Sequence, residues 1–271
     1  MSEKTTGQIE VLGRRIHEIH ATPSGPRGAP KLLYLHSAMG EATWLTPHLN
    51  ALAERVELFA PAHPGFLTSE GLDEIRDVED LVYHYLAYLD AKRWDSVAVM
   101  GVSLGGWIAA ELAARYPERV SKLVLVSSVG IWLREKPIAD LFAIDGRHPE
   151  RLRELLFHDQ SSPFAQALGV ELSGLPDEVV ANFMNAMAAT AKIGWNPLLH
   201  DPRLDALLPR ITADTLVIWG ANDRVVPLEY GETFAKRIPR ARLEVVRNCG
   251  HMLPLEQQAR FLEIATPFIT S

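Results

Sequence analysis

The chain is 271 residues long, 47% of them hydrophobic, with a formal net charge of −7. That is enough for one substantial core, or one core plus an inserted subdomain. The scattered charges exclude a basic nucleic-acid or polybasic membrane patch, and the single cysteine, Cys249, excludes an internal disulfide and a cysteine metal cluster.

Met1 to Gln8 is polar and lacks a signal-peptide core. No apolar run approaches the ~20 residues that cross a bilayer, so a soluble, cytoplasmic chain is expected. Gln8 to Leu12 and Arg15 to His20 alternate apolar and polar residues around Gly13, which predicts a hairpin at a sheet edge. A Pro/Gly loop runs from Pro23 to Pro30. Lys31 to Leu35 reads as a buried strand and leads into His36-Ser37-Ala38-Met39-Gly40. Trp44 to Arg55 has helical spacing. Val56 to Ala60 is a strand ending in Pro61-Ala62-His63-Pro64-Gly65-Phe66, and Ile75 to Ala91 is a long amphipathic helix.

Ser96 to Met100 is another buried strand. Leu104 to Tyr116 follows as a buried helix ended by Pro117. Lys122 to Ser127, Leu216 to Trp219 and Leu243 to Val246 read as further strands, and Pro254 to Ile269 as the closing helix. Between Val129 and about Pro209 no strand is legible; Ile138 to Ile144, Pro149 to His158 and Asp177 to Lys192 read as helical. Apolar strands alternating with helices predict an α/β fold, a mostly parallel sheet covered by helices on both faces. The interruption divides the chain into a core (1–130), an inserted helical cap (131–208) and the rest of the core (209–271).

Gly101-Val102-Ser103-Leu104-Gly105-Gly106 sits between a strand and a helix. Such a sharp turn strains the serine backbone, and a Cβ two residues to either side would strike neighbouring chain. The corner presents Ser103 beside a helix N-terminus, which favours negative charge. A serine hydroxyl needs a base, and the base needs an orienting acid. In strand-turn-helix chemistry of this kind the chain order is Ser, then Asp or Glu, then His. Asp223, in Trp219-Gly220-Ala221-Asn222-Asp223, and His251, in Asn248-Cys249-Gly250-His251-Met252, each follow a strand and supply that order. Asp223 also suits a capping role before the helix near Pro227. His36 reads as a loop-holding residue, and Cys249, away from the elbow, has no catalytic part. An oxyanion would be met by the backbone N–H groups of Leu104 and Ala38.

These segments together resemble the α/β-hydrolase-fold serine hydrolases with an inserted cap. The resemblance is carried by the His36–Ala38 loop, His63-Pro64-Gly65-Phe66, the Gly101–Gly106 elbow, the Asp223 loop and Gly250-His251. It departs at Ser37, where the family usually has glycine. It implies a serine esterase, with Ser103 acylated, His251 as base then acid, and Asp223 fixing its tautomer. A second reading it implies is hydrolysis of a carbon–carbon bond in vinylogous diketones, as in meta-cleavage product hydrolases. Those tend to carry Asn before the nucleophile and Trp after the catalytic His, where this chain has Val102 and Met252. Lactonase, thioesterase and perhydrolase activities are further members of the set, and a non-catalytic small-molecule receptor on the same fold is a third class. The expected partner is a small ester-like molecule with an apolar part, and Phe183, Met187 and Trp195 of the cap are expected to line its pocket. No metal, organic cofactor, nucleic acid or membrane partner is expected, and nothing in the sequence sets an oligomeric state.

Overall fold

The computed structural model describes residues 3–24, 28–40, 46–143, 148–167, 174 and 176–271. Strands β1 (Glu3–Val11) and β2 (Arg14–Thr22) form the expected antiparallel hairpin at one sheet edge. β2 pairs antiparallel with β4 (Glu57–Pro61). Every later pairing is parallel: β4 with β3 (Lys31–Leu35), β3 with β5 (Val97–Val102), then β6 (Val120–Val126), β7 (Asp214–Gly220) and β8 (Ala241–Val246) in spatial succession. The eight-stranded order is β1-β2-β4-β3-β5-β6-β7-β8.

Successive residues of a strand point to opposite faces, so a sheet with two cores needs apolar residues at every position. Leu33, Leu35, Val99, Leu123, Leu125, Val217 and Trp219 enter one core with α2 (Val78–Ala91), α3 (Leu104–Arg115) and α8 (Leu228–Arg237). Their neighbours Leu32, Tyr34, Ala98, Met100, Val124, Val126, Leu216 and Ile218 enter the other with α1 (Pro47–Leu52) and α10 (Gln258–Thr270). The sequence helix at Trp44 to Arg55 corresponds to α1; Trp44 itself lies outside the described residues.

The stretch between β6 and β7 carries α4 (Pro149–Leu156), α5 (Pro163–Ala167), α6 (Asp177–Gly194) and α7 (Leu204–Leu207). Its two ends meet. Gly130 N–H donates to Leu199 O at 2.9 Å, and Asp201 N–H to Gly130 O at 3.0 Å. Gly130 has φ +117°, and a Cβ there would lie 2.5 Å from Trp107. Below this junction the buried Glu111 pairs with Arg115 at 2.9 Å, and Arg115 with Asp201 at 3.2 Å.

Two segments differ from the sequence reading. Residues 138–143 form no α-helix; a single 3-10 turn covers Leu141–Ala143, and Ile144 lies outside the described residues. Asp140 Oδ1 accepts the N–H groups of Phe142 and Ala143, while Ala139 N–H is spent on Val225 O at 2.9 Å. The closing helix is also two: α9 (Leu253–Glu256) breaks at Gln257 before α10 begins.

His84, on α2, is fully buried, and neither ring nitrogen has a hydrogen-bond partner among the described residues. Burial, with the Arg14 cation adding to it, pushes the imidazole down to about 3. The unfolded chain takes a proton near ~6.5, the folded chain only near that lower value. Stability is therefore lost as pH falls through this window, by ~1.4 kcal/mol per pH unit for one such group. His63 is depressed in the same direction, first by burial and then by His36. His84→Leu is expected to be nearly neutral at pH 7 and stabilising by about 2 kcal/mol at pH 5 relative to wild type. Urea unfolding at both pH values checks this; the same difference at both would refute it.

Candidate active site

In the sheet order, the chain steps outward from β3 to β4 and then returns to the other side of β3 with β5. The crevice at the carboxyl ends of such a reversal is where open α/β sheets hold ligands. The loop after β3 and the elbow after β5 meet there.

Ser103 has φ +51° and ψ −111°, a strained backbone for a residue with a side chain. Its N–H donates to Val126 O at 2.9 Å, and its carbonyl accepts Trp107 N–H at 3.1 Å. The glycines that flank it have no room for a side chain. A Cβ on Gly101 would lie 2.2 Å from Gly105 O, and one on Gly105 would lie 2.0 Å from Leu35 O. A Cβ on Gly106 would lie 2.6 Å from Ser128 Oγ. Sheet and helix approach each other too closely at this corner for any other residue.

The structure brings Ser103, Asp223 and His251 into one chain of hydrogen bonds. His251 Nδ1 lies 2.9 Å from Asp223 Oδ2, and His251 Nε2 lies 3.0 Å from Ser103 Oγ. The carboxylate accepts from Nδ1–H, which leaves Nε2 free of a proton to accept from the serine hydroxyl. All three residues are buried. The capping role of Asp223 is present as well. Its other oxygen, Oδ1, accepts the N–H groups of Val225 and Val226, both at 2.9 Å. One carboxylate thus builds its own turn and orients the imidazole.

The loop after β3 is held by histidines. His36 Nδ1–H donates to Ser37 O at 2.7 Å, and its Nε2 accepts His63 N–H at 2.9 Å. His63 Nε2–H donates to His36 O at 2.9 Å, while its Nδ1 accepts from the Tyr85 hydroxyl. The two rings lie 3.7 Å apart between centroids. Their burial keeps His63 uncharged. His36 thus holds the loop, as its position in the sequence implies. Gly40 N–H bonds Ser37 O and Met39 N–H bonds Ser37 Oγ, so the turn draws on the N–H groups on the far side of Ala38. Leu104 opens α3, where the first N–H groups of a helix have no intrahelical acceptor.

Phe183 and Met187 lie one turn apart on α6, both half-buried beside its inward stripe of Ala186, Ala189 and Ile193. Trp195 caps that helix with 58% of its surface exposed, its ring 5.3 Å from Phe142. None of the three belongs to the hydrogen-bonded constellation. Cys249 is buried, and burial raises its thiol pKa, aided by the carboxylates of Glu256 and Asp223. Glu256 was not singled out by sequence. Its carboxylate accepts the N–H of Gly250, next to His251, at 2.6 Å.

Comparison with known proteins bears on the family of the fold. A profile of the alpha/beta hydrolase fold family matches residues 31–258. The 2-hydroxymuconate semialdehyde hydrolase of Pseudomonas sp. (strain CF600) is 30% identical over 251 residues, covering 89% of this chain and 87% of that protein. The 2-hydroxymuconate semialdehyde hydrolase of Pseudomonas putida is 34% identical over 200 residues, covering 69% and 67%. Among solved structures, the 2-hydroxy-6-oxo-6-phenylhexa-2,4-dienoate hydrolase from Rhodococcus sp. strain RHA1 superimposes with a TM-score of 0.80 at 24% identity, over 100% of both chains. Among the described residues, no helix is long and apolar enough to cross a membrane. The chain is a hydrolase and belongs to the α/β-hydrolase fold family.

Proposed function

We propose that this hydrolase cleaves the carbon–carbon bond beside the 6-oxo group of a 2-hydroxy-6-oxo-dienoate, with Ser103 as nucleophile, His251 as base and Asp223 as its orienting acid. The observation that carries the reading is the match to two relatives named for 2-hydroxymuconate semialdehyde, a molecule of that class. It supports the second enzymatic reading of the sequence over ester hydrolysis.

A carbon–carbon bond breaks heterolytically only if the departing carbon can hold the electron pair. Moving the 2-hydroxyl proton to C5 gives a 2-oxo-3-ene, in which a carbanion at C5 is conjugated with the 2-oxo group. Ser103 Oγ then attacks C6 while His251 Nε2 takes its proton. The N–H groups of Leu104 and Ala38 meet the resulting alkoxide. Collapse breaks C5–C6, and the pair moves onto the 2-oxo oxygen, which is protonated to give a 2-hydroxy-dienoate. Water, deprotonated by His251, releases the acyl group from Ser103 as a carboxylic acid. One water is consumed. Residues 131–208 act as the cap in this reading, and Phe183, Met187 and Trp195 face the group attached to C6.

Ester hydrolysis uses the same residues without the proton shift to C5. Val102 and Met252, buried and apolar where meta-cleavage product hydrolases tend to carry Asn and Trp, speak for it. Parallel assays separate the two. The coloured dienoate is followed by loss of its visible absorbance, and p-nitrophenyl acetate by release of nitrophenolate. A kcat/KM for the dienoate about 10²-fold above that for the ester is expected. The reverse order would make the chain an esterase.

A further inference from the structure

His251 lies between two residues that are held by the inserted segment. On one side, Met252 N–H donates to Leu156 O at 3.0 Å. On the other, Gly250 is pressed against the same segment: a Cβ there would lie 2.8 Å from both Leu156 O and His158 N. Glu256 joins the two bodies through one carboxylate. Its Oε2 accepts Gly250 N–H at 2.6 Å, and its Oε1 accepts Asp159 N–H at 2.5 Å. Hydrogen bonds to an ionised acceptor are roughly twice as strong as neutral ones.

Glu256 ends the four-residue helix α9 and directly precedes Gln257, which caps the start of α10. Its carboxylate turns back along the chain to Gly250 and across to a residue 97 positions away. The break before α10 permits this. Gln257, at the break, bonds Asn248 O at 3.1 Å through its side chain. Asn248 itself has φ +51°. The loop carrying His251 is thus a bent segment tied at both ends, and one of its ties is shared with residues 156–159.

We propose that Glu256 is a positioning residue that clasps the His251 loop to the inserted segment, so that the imidazole holds its place toward Ser103 only while residues 156–159 are seated. The proposal rests on the reading of His251 as the base. A residue within hydrogen-bond reach of its partner gains or loses orders of magnitude in rate from displacements of about 1 Å. The seating of the insert therefore sets how well the imidazole reaches Ser103.

The test is phosphonylation of Ser103 by a fluorophosphonate, resolved into KI for reversible binding and kinact for the covalent step. Wild type is compared with Glu256→Gln, which keeps shape and one acceptor oxygen, and with Asp159→Pro, which removes the donor on the insert side. Gln257→Ala is the control, since it trims a tie to the same loop that does not reach Gly250 or the insert. Melting temperatures are measured for each. Glu256→Gln is expected to lower kinact at least about tenfold with KI unchanged, Asp159→Pro to lower it less, and Gln257→Ala to stay within about twofold. A Glu256→Gln rate equal to wild type, or losses that follow melting temperature in all variants alike, overturns the proposal and leaves the base assignment standing. Absence of labelling in wild type overturns both. Amide hydrogen exchange of wild type gives a reading free of any substitution. Gly250, Met252 and Asp159 are expected to exchange together as one protected unit. Free exchange at Gly250 in the folded protein overturns the clasp.

Discussion

Ser103→Ala is expected to lower kcat by about 10⁶, the scale on which losing the serine disables a triad. The hydroxyl supplies the atom proposed to bond to carbon and leave again. The fold should survive. Ser103 and alanine share a Cβ, so the strain of φ +51° is unchanged, and the ties that fix the corner run through the backbone of residue 103. Among the described residues, the one hydrogen bond removed is that between Oγ and His251 Nε2. Circular dichroism and urea unfolding should match wild type, and fluorophosphonate labelling should vanish. Retention of more than about 10⁻³ of wild-type turnover would place the nucleophile elsewhere.

The elbow could be read from sequence because its geometry is so restrictive. Leu35 O sits where a side chain on Gly105 would be, and Gly105 O where one on Gly101 would be. Such a corner leaves its mark within six residues. The strands were legible for a similar reason: with a core on each face, β3, β5, β6 and β7 have to be apolar runs. What stayed hidden depends on partners far along the chain. Residues 138–144 have helical spacing, yet Asp140 caps a tight turn and Ala139 bonds Val225 across the fold. Glu256 reads as one more surface acid on a closing helix until Asp159 and Gly250 are seen beside it. The choice of bond to be cleaved is hidden at a deeper level, since ester and carbon–carbon hydrolysis draw on the same serine, histidine and aspartate. It lies instead in what meets the rest of the substrate; Val102 and Met252, which depart from the pattern expected of meta-cleavage hydrolases, are packed among the buried core residues.

Asp223→Asn separates the two tasks of that carboxylate. Oδ1 holds the turn through Val225 and Val226, and Oδ2 holds His251 Nδ1. Asparagine keeps one carbonyl oxygen, and the turn, with two N–H groups to satisfy, claims it. The amide NH₂ then faces Nδ1. Two donors cannot share that contact, so the ring adopts the tautomer in which Nδ1 accepts and Nε2 carries the proton. That proton points at Ser103 Oγ, 3.0 Å away, and the imidazole can no longer take another from it. A fall in kcat of about 10⁴ is expected with little change in stability. Asp223→Ala loses the turn as well. It leaves the Val225 and Val226 N–H groups without their acceptor in a buried site, which costs about 1–3 kcal/mol per group. Kinetics and urea midpoints measured together make the comparison. Asn should be inactive and stable, Ala inactive and destabilised. An active Asn variant would mean that Asp223 serves the turn alone and that His251 is oriented by some other group.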